Sequence, residues 1–363
     1  MELEIKSQKT ELSNIYTSNS FDELSEKIDA IFPGLKKVCV ITDTNVSKLY
    51  LDIVKGCFNK DTKVIDYVIP AGESSKSMDE ALKITELLLD NDFSREDVIF
   101  GLGGGVVSDL TGFVAGTYKR GISHAFIATT LLSMVDASIG GKTAVDFDGC
   151  KNIIGVFKSP SLIYMNISTL NTLDPREYYS GFAEVMKSAL LFDAKFYEWL
   201  IEKMYEICEK DFDTVNEMIE RTILIKKTIV DKDPFEKNDR VLLNLGHTIG
   251  HAIESYFKGE YLHGECVALG CVAAGFISWK MDMISMEDYY EIRDMFVPFN
   301  LPISIEVNSL QPILDLLHKD KKNTDDAVNM VLLKKIGKAV FVKNISDELI
   351  VGALDELNFN PED

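Results

Sequence analysis

The sequence predicts an α/β domain with a parallel sheet, followed by a helical domain. In the first half, short apolar runs at residues 38–43, 64–69, 98–101 and 125–129 alternate with amphipathic segments such as 77–91, a pattern typical of buried parallel strands connected by helices. From about residue 174 onward, segments 175–199, 215–230, 246–256 and 265–281 carry apolar side chains at helical spacing, and strand signals are few. A chain of 363 residues also exceeds what one hydrophobic core usually supports. We therefore expect two domains, residues 1–170 (α/β) and residues 171–363 (helical), with the boundary within 165–175.

Composition excludes several classes of partner. The formal net charge of -20 repels nucleic-acid phosphates and anionic membranes, so the positive site for an anionic substrate must be built locally. The six cysteines lie far apart with no Cys-x-x-Cys spacing, which is typical of reduced thiols in a cytosolic protein. The N-terminal residues lack the apolar core of a signal peptide, and no apolar stretch reaches the roughly 18 residues of a membrane span without polar interruption. We expect a cytoplasmic protein.

Three of the five histidines lie close together in the predicted helical domain. His247 and His251 are four residues apart, so on a helix both project from one face, and His263 follows a glycine-containing segment. Helix packing or surface exposure is the alternative explanation for any one of them. Three imidazoles in so short a stretch favour a metal site.

Glu184 and Lys187 are three residues apart, which places them on one face of a predicted helix. A surface ion pair is the alternative, but the neighbours at positions 182, 183, 185 and 186 are apolar, so solvated charge explains the pair poorly. A carboxylate beside the histidines completes a metal site of the open, catalytic kind.

A run of glycines indicates phosphate binding in the first domain. Gly103, Gly104 and Gly105 directly follow a predicted strand and precede an apolar segment, so backbone N–H groups at a strand-to-helix turn can approach a pyrophosphate. The spacing is not the Gly-x-Gly-x-x-Gly of the common dinucleotide fold, and a tight turn with close packing is the alternative. Glu73 and Lys76, and likewise Asp43 and Asn45, follow other strands and are candidates for ribose contacts, although Asp43 and Asn45 are equally typical of turns and caps.

A second anion-binding segment comprises Asp136, Lys142, Lys151 and Asn152. Glycines 140 and 141 directly precede Lys142, which indicates a loop where an ammonium approaches an anion closely. The Gly-x-x-x-x-Gly-Lys spacing of a P-loop is absent. Arg120 adds a guanidinium nearby in the sequence.

Together these motifs resemble those of the 3-dehydroquinate synthases. The resemblance extends over nearly the whole chain, and its most specific stretches are residues 103–112, 129–143, 151–155, 181–187, 244–254 and 262–265. It implies an N-terminal NAD-binding α/β domain, a C-terminal helical domain and an active site in the cleft between them, usually in a homodimer. It also implies that Glu184, His247 and His263 hold Zn²⁺ (or Co²⁺), while His251 faces the substrate.

The remaining site residues follow from the same resemblance. The implied substrate contacts are Arg120, Asp136, Lys142, Lys151, Asn152, Lys187, Lys226, Glu236, Arg240, Asn244, His251, and Lys321 or Lys322. The predicted nucleotide contacts are Asp43, Asn45, Glu73, Lys76, Gly104, Gly105, Val106, Val107, Ser108, Asp109, Thr129, Thr130, Lys142, Lys151, Thr169, Leu170, Asn171 and Thr172.

The resemblance implies a carbon–oxygen lyase that converts 3-deoxy-D-arabino-heptulosonate 7-phosphate into 3-dehydroquinate and phosphate, through transient oxidation by NAD⁺, phosphate elimination, re-reduction and intramolecular aldol closure. Two other enzymes remain as alternatives: a sister cyclase acting on a sugar phosphate without the carboxylate, and a metal-dependent polyol dehydrogenase. A non-catalytic binding module leaves the metal, nucleotide and anion motifs unexplained. One departure from the family is Ser108, where glycine is usual; we expect it to be tolerated if its φ is negative.

Overall fold

The computed structural model describes residues 13–319 and 328–358. The chain divides into two compact units, the first ending at Thr169 and the second beginning at Leu170. Among the described residues, no helix is both long and apolar enough to cross a membrane.

The first unit is built on a six-stranded sheet in which every paired strand is parallel. The strand order is β1-β8-β5-β4-β2-β3. Its strands are β1 (Asn14–Ser18), β2 (Lys37–Asp43), β3 (Lys63–Ile69), β4 (Val98–Gly103), β5 (Ser123–Ala128) and β8 (Leu162–Asn166).

Helices cover both faces of this sheet. The helices of the first unit are α1 (Leu24–Ile31), α2 (Asp52–Gly56), α3 (Met78–Asp90) and α4 (Gly105–Thr117). Successive residues of β2 point to opposite faces: Cys39 packs with apolar residues of α3 and α4, and Val40 with those of α1 and α2. Because both faces are buried, the strands read as continuous apolar runs rather than as alternating ones.

A two-stranded antiparallel hairpin accompanies the sheet. It consists of β6 (Lys142–Phe147) and β7 (Cys150–Phe157). Asp148 and Gly149 connect the strands with φ angles of 51° and 73°, values typical of the turns that match the twist of a hairpin.

The second unit is mainly helical. Its helices are α5 (Pro175–Phe192), α6 (Ala194–Glu202), α7 (Met204–Cys208), α8 (Phe212–Lys232), α9 (His247–Phe257), α10 (His263–Lys280), α11 (Met286–Asp294), α12 (Gln311–Lys319) and α13 (Asp347–Leu357). It also contains an antiparallel hairpin of β9 (Val328–Lys335) and β10 (Lys338–Ile345), which helical periodicity does not predict.

The predicted fold class is confirmed. Each predicted strand lies within an observed one or overlaps it closely, and the helix predicted over 77–91 is α3. The helix predicted over 175–199 is instead two helices, because Asp193 ends α5 and its side chain accepts a hydrogen bond from Phe196 N at the start of α6.

Candidate active site

Most of the predicted nucleotide contacts in the first unit follow the carboxyl ends of its parallel strands. Asp43 ends β2, Glu73 and Lys76 come after β3, and Thr129 and Thr130 come after β5. Gly104 to Asp109 follow β4, which lies beside β2 where the strand order reverses direction. Open α/β sheets bind ligands at this edge and at such a switch point. The sheet therefore brings together segments that are up to about a hundred residues apart in sequence.

Lys76 lies at the centre of an ion network at this edge. Its side chain is buried, and Nζ lies 2.9 Å from Glu73 Oε1, 3.4 Å from Asp109 Oδ2 and 3.7 Å from Asp146 Oδ1. Burial opposes the charge of Lys76, but the surrounding carboxylates outweigh it and raise its pKa. Burial also raises the pKa of Asp109, to about 7, against the attraction of Lys76.

Ser108 sits inside α4, and its φ is not in the left-handed region. Its buried hydroxyl donates to the carbonyl oxygen of Gly104 at 3.1 Å and lies 3.5 Å from the hydroxyl of Ser138. Serine therefore fits this position of the glycine loop without backbone strain.

Asp43 has the contacts of a turn residue. Its Oδ1 accepts hydrogen bonds from the backbone N–H groups of Asn45 and Val46, at 2.8 and 3.0 Å. The prediction that Asp43 and Asn45 contact a nucleotide remains a prediction.

In the second unit, three helices bring a carboxylate and two imidazoles together. Glu184 lies on α5, His247 begins α9 and His263 begins α10. Glu184 Oε1 lies 3.6 Å from His247 Nε2 and 3.5 Å from His263 Nε2, and the three side chains offer ligand atoms within 4.8 Å of one another.

Backbone contacts hold these helices close to one another. A Cβ on Gly270 of α10 would lie only 1.8 Å from the carbonyl oxygen of Gly246, the residue before α9. A Cβ on Gly264 would lie 1.8 Å from the carbonyl oxygen of Ser180 on α5, and Gly264 N donates to Ser180 Oγ. Only glycine permits these approaches, so α10 contacts both other ligand-bearing helices at backbone distance.

The donors fit a divalent metal ion of the zinc type. Neither oxygen of the buried Glu184 carboxylate accepts a hydrogen bond of normal geometry from the described residues, although Lys187 Nζ forms an ion pair with Oε2. Three ligand atoms about 2.1 Å from a tetrahedral ion lie about 3.4 Å apart, close to the separations found here. One carboxylate and two imidazoles are also a ligand set that leaves the fourth position of a catalytic zinc ion open.

The charges around the group favour the metal-binding forms of Glu184 and His247, whereas a metal ion at His263 has to displace a proton. Burial favours the neutral acid, but the Lys187 ammonium and then His263 outweigh it and lower the pKa of Glu184 to about 2. Burial, followed by the positive charge of Lys187, lowers the pKa of His247 well below its ordinary value. Burial also opposes protonation of His263, but Glu184 and Glu254 outweigh it and raise its pKa to about 9.

Each of the two histidines beside Glu184 has an acceptor facing its other ring nitrogen. His247 Nδ1 lies 3.1 Å from the carbonyl oxygen of Leu245, so a neutral ring that donates there presents the Nε2 lone pair to the metal. His263 Nδ1 lies 3.8 Å from Glu254 Oε2 on α9. His251 shares the pocket, with its ring centroid 5.1 Å from that of His247 and 6.0 Å from that of His263.

The buried carboxylate of Asp233 accepts hydrogen bonds from the backbone of the loop that follows it, and this loop carries further predicted substrate contacts. Asp233 Oδ1 accepts a hydrogen bond from Lys237 N, and Oδ2 accepts from Asn238 N and Arg240 N. Arg240 is fully buried and donates to the Pro234 carbonyl at 2.6 Å. Asn244 Nδ2 donates to Glu236 Oε1 at 2.8 Å, so this loop brings together Glu236, Arg240 and Asn244.

The other predicted residues are distributed over both units. Arg120 lies between α4 and β5, at the sheet edge opposite the glycine loop, in a recess with Arg95 and Lys119. Lys226 is buried on α8. In the first unit, Asp136 lies in a helical turn before β6, Lys142 begins β6, and Lys151 and Asn152 lie on β7. Thr169 is the last residue of the first unit, and the second unit begins with Leu170, Asn171 and Thr172. Lys321 and Lys322 lie outside the described residues.

Three carboxylates that lie beside predicted site residues were not predicted from the sequence. Glu254 was one turn beyond His251 on the predicted helix, a spacing that could have identified it. Asp146 and Asp233 carried no comparable signal, because their contacts are with backbone amides or with residues distant in sequence.

Comparison with known proteins places this geometry in a family. The 3-dehydroquinate synthase N-terminal model matches residues 66–180, and the C-terminal model of the same enzyme matches residues 181–323. The chain is 39% identical over 341 residues to a 3-dehydroquinate synthase of Thermoanaerobacter pseudethanolicus, covering 93% of this chain and 95% of that protein.

Solved structures show the same architecture. The 2-epi-5-epi-valiolone synthase ValA from Streptomyces hygroscopicus subsp. jinggangensis 5008, with NAD⁺ and Zn²⁺ bound, has a TM-score of 0.88 and 25% identity, covering 98% of this chain and 99% of ValA. A 2-deoxy-scyllo-inosose synthase complexed with carbaglucose-6-phosphate, NAD⁺ and Co²⁺ has a TM-score of 0.86 and 23% identity, covering 94% of this chain and 96% of that chain, and so supports the fold alone.

The parallel α/β unit, the helical unit and the Glu-His-His group define a metalloenzyme of the dehydroquinate synthase-like fold. The particular family within this class follows from the sequence comparisons. Two family models together match most of the chain, and relatives named 3-dehydroquinate synthase are 37–40% identical to it. The chain belongs to the 3-dehydroquinate synthase family.

Proposed function

We propose that this chain converts 3-deoxy-D-arabino-heptulosonate 7-phosphate into 3-dehydroquinate and inorganic phosphate, the reaction of its family. The observation that carries the proposal is the group formed by the buried Glu184 with the partly buried His247 and His263, with the Lys187 ammonium beside it. The strand ends of the first unit provide the complementary nucleotide-binding edge.

The cofactors are NAD and a divalent metal, Zn²⁺ or Co²⁺. When bound, the metal supplies a Lewis acid for the hydroxyl under oxidation, and NAD supplies a hydride acceptor that is regenerated within the same turnover. Glu184, His247 and His263 would hold the metal, while the loops after β2, β3, β4 and β5 would hold the nucleotide.

The substrate's negative charges require cations, because the net charge of the chain is -20. Lys142, Lys151 and Asn152 lie on one hairpin of the first unit, and the buried Lys226 and Arg240 belong to the second. These groups would bind the phosphate and carboxylate by charge-assisted hydrogen bonds, and so orient the sugar for elimination and ring closure.

Lys187 and His251 have the placement of groups that act on the substrate. The Lys187 ammonium lies beside the ligand carboxylate, where its charge stabilises negative charge that develops on a substrate oxygen. The His251 ring faces the ligand histidines, at a position to exchange a hydrogen bond with a substrate hydroxyl. We also propose a homodimer located in the cytoplasm.

The test is phosphate release from the heptulosonate phosphate, with Zn²⁺ and an amount of NAD⁺ well below that of the substrate. We expect many phosphates released per NAD⁺ and no accumulation of NADH. NADH formed one-for-one with substrate consumed would instead establish a dehydrogenase. No phosphate release from this substrate, with release from sedoheptulose 7-phosphate, would establish a sister cyclase.

A further inference from the structure

The β6–β7 hairpin carries three predicted substrate contacts and is attached to the turn after β3. Asp146 N donates to the carbonyl oxygen of Lys76 at 2.8 Å, and Asp146 forms a β-bridge with Ser77. On the same side, Lys151 Nζ lies 3.5 Å from Glu73 Oε1. Residues predicted to contact the nucleotide and residues predicted to contact the substrate therefore share one network of contacts.

The register of the hairpin is irregular at Asp146. Val145 pairs with Ile154, and Phe147 pairs with Cys150, so the register shifts between these two pairs, at Asp146 on β6. Asn152 takes a φ of 54°, a left-handed conformation that costs free energy for a residue with a side chain. Asp146 Oδ1 accepts the hydrogen bond of Asn152 N at 2.8 Å, and this bond fixes the irregular segment.

Asp146 also forms an ion pair with Lys76. Its Oδ1 also lies 3.7 Å from Lys76 Nζ, and its side chain is only 23% exposed. Lys76 keeps Glu73 at 2.9 Å and Asp109 at 3.4 Å, so the charge of Lys76 stays compensated without Asp146. Loss of the hydrogen bond between Asp146 and Asn152 should therefore disturb the hairpin more than the predicted nucleotide-binding segments after β3 and β4.

We propose that Asp146 is a positioning residue that sets the conformation of Asn152 for the substrate anion. The inference rests on the proposed function for the identity of that anion. The carboxylate does not contact the substrate; it acts through the backbone of Asn152.

The experiment compares three single variants of the full chain. Asp146→Ala removes the acceptor, whereas Asp146→Asn keeps a side-chain oxygen in its place and removes only the charge. Asp148→Asn is the matched control, since it removes the same charge from the exposed turn of the same hairpin, and asparagine tolerates the φ of 51° found there. The measurements are hydrogen–deuterium exchange of the peptide spanning 147–157, the KM and kcat of phosphate release, and the Kd for NAD⁺.

We expect Asp146→Ala to exchange faster at the Asn152 amide and to raise KM about tenfold, with the Kd for NAD⁺ changed less than about threefold. Asp146→Asn should have amide exchange and a KM close to those of the unaltered chain, because it keeps the acceptor oxygen. Asp148→Asn should match the unaltered chain. A KM within about twofold of the unaltered value in Asp146→Ala would overturn the inference. It would also be overturned by equal defects in the alanine and asparagine variants, or by a loss of NAD⁺ affinity that parallels the change in KM. If the unaltered chain releases no phosphate, the proposed function fails instead, and the exchange measurement alone decides whether Asp146 orders the hairpin.

Discussion

His124 provides a sharp test of how burial controls the stability of the first unit. It lies on β5, is fully buried and packs edge-on against Phe126, with ring centroids 5.0 Å apart. Neither ring nitrogen has a hydrogen-bond partner among the described residues. Burial, with a smaller contribution from the Lys158 charge, lowers the pKa of His124 to about 3.

The sign and size of the effect follow from linkage. Since the pKa is lower in the folded state than the ordinary value of 6.5, the unfolded chain takes up the proton first. Stability is therefore fully present above about pH 6.5 and is lost as the pH falls toward about 3. Each pH unit in that window costs about 1.4 kcal/mol, so lowering the pH from about 7 to about 5 removes about 2 kcal/mol through this one group.

The assay is urea unfolding at about pH 7 and about pH 5, for the unaltered chain and for His124→Leu. Both tryptophans, Trp199 and Trp279, lie in the second unit, so far-UV circular dichroism is the appropriate signal. We expect the variant to lose about 2 kcal/mol less than the unaltered chain over this range, since leucine does not titrate. His318→Leu, at a histidine whose side chain is 32% exposed, is the control and should follow the unaltered chain. Equal losses in the unaltered chain and His124→Leu would refute the argument from burial.

Three further predictions concern the site. His263→Ala should lose bound metal and activity together, whereas Lys142→Ala should keep the metal and lose turnover; metal loss in the lysine variant, measured by elemental analysis, would contradict this division of roles. Glu254→Gln should weaken metal affinity about 10–100-fold, because Glu254 faces His263 Nδ1. A competitive chelator titration measures this affinity, and an unchanged value would show that Glu254 does not orient His263. Ser108→Gly should cost about 0.5 kcal/mol of stability, because glycine is about that much less favourable than serine inside a helix, and it should change NAD⁺ affinity less than about tenfold. An affinity more than about tenfold tighter would mean that serine strains the loop.

Sequence periodicity predicted the elements that bury a continuous or one-sided apolar surface. The buried strands β2, β4 and β5, the partly buried edge strand β3 and the helices α3, α8, α9 and α10 were predicted in this way. β1, the β6–β7 hairpin and the β9–β10 hairpin were missed, because all five residues of β1 are only partly buried and β7 and β10 are largely exposed. β8 was also missed although all five of its residues are buried, because periodicity does not identify so short an apolar run as a strand. The break at Asp193 was missed because a single capping aspartate does not interrupt helical spacing.

The candidate site was predictable to different degrees for different residues. The clustering of His247, His251 and His263, with Glu184 in apolar surroundings, indicated a metal site from the residues alone. The assignment of His251 to the substrate rather than to the metal came from the family resemblance. Asp233 acts through backbone amides of its own loop, and such contacts depend on local dihedral angles that no spacing rule encodes.

The glycine contacts of α10 affect how this metal site can evolve. The helices that carry its ligands approach one another through backbone packing at Gly264 and Gly270. Substitutions that repack the surrounding core can therefore accumulate while the ligand geometry stays nearly constant. A single added methyl group at either glycine would separate helices that carry different ligands, so no gradual series of substitutions at these two positions leads to a wider site. The site would be expected to change its metal preference by exchanging ligands rather than by moving them.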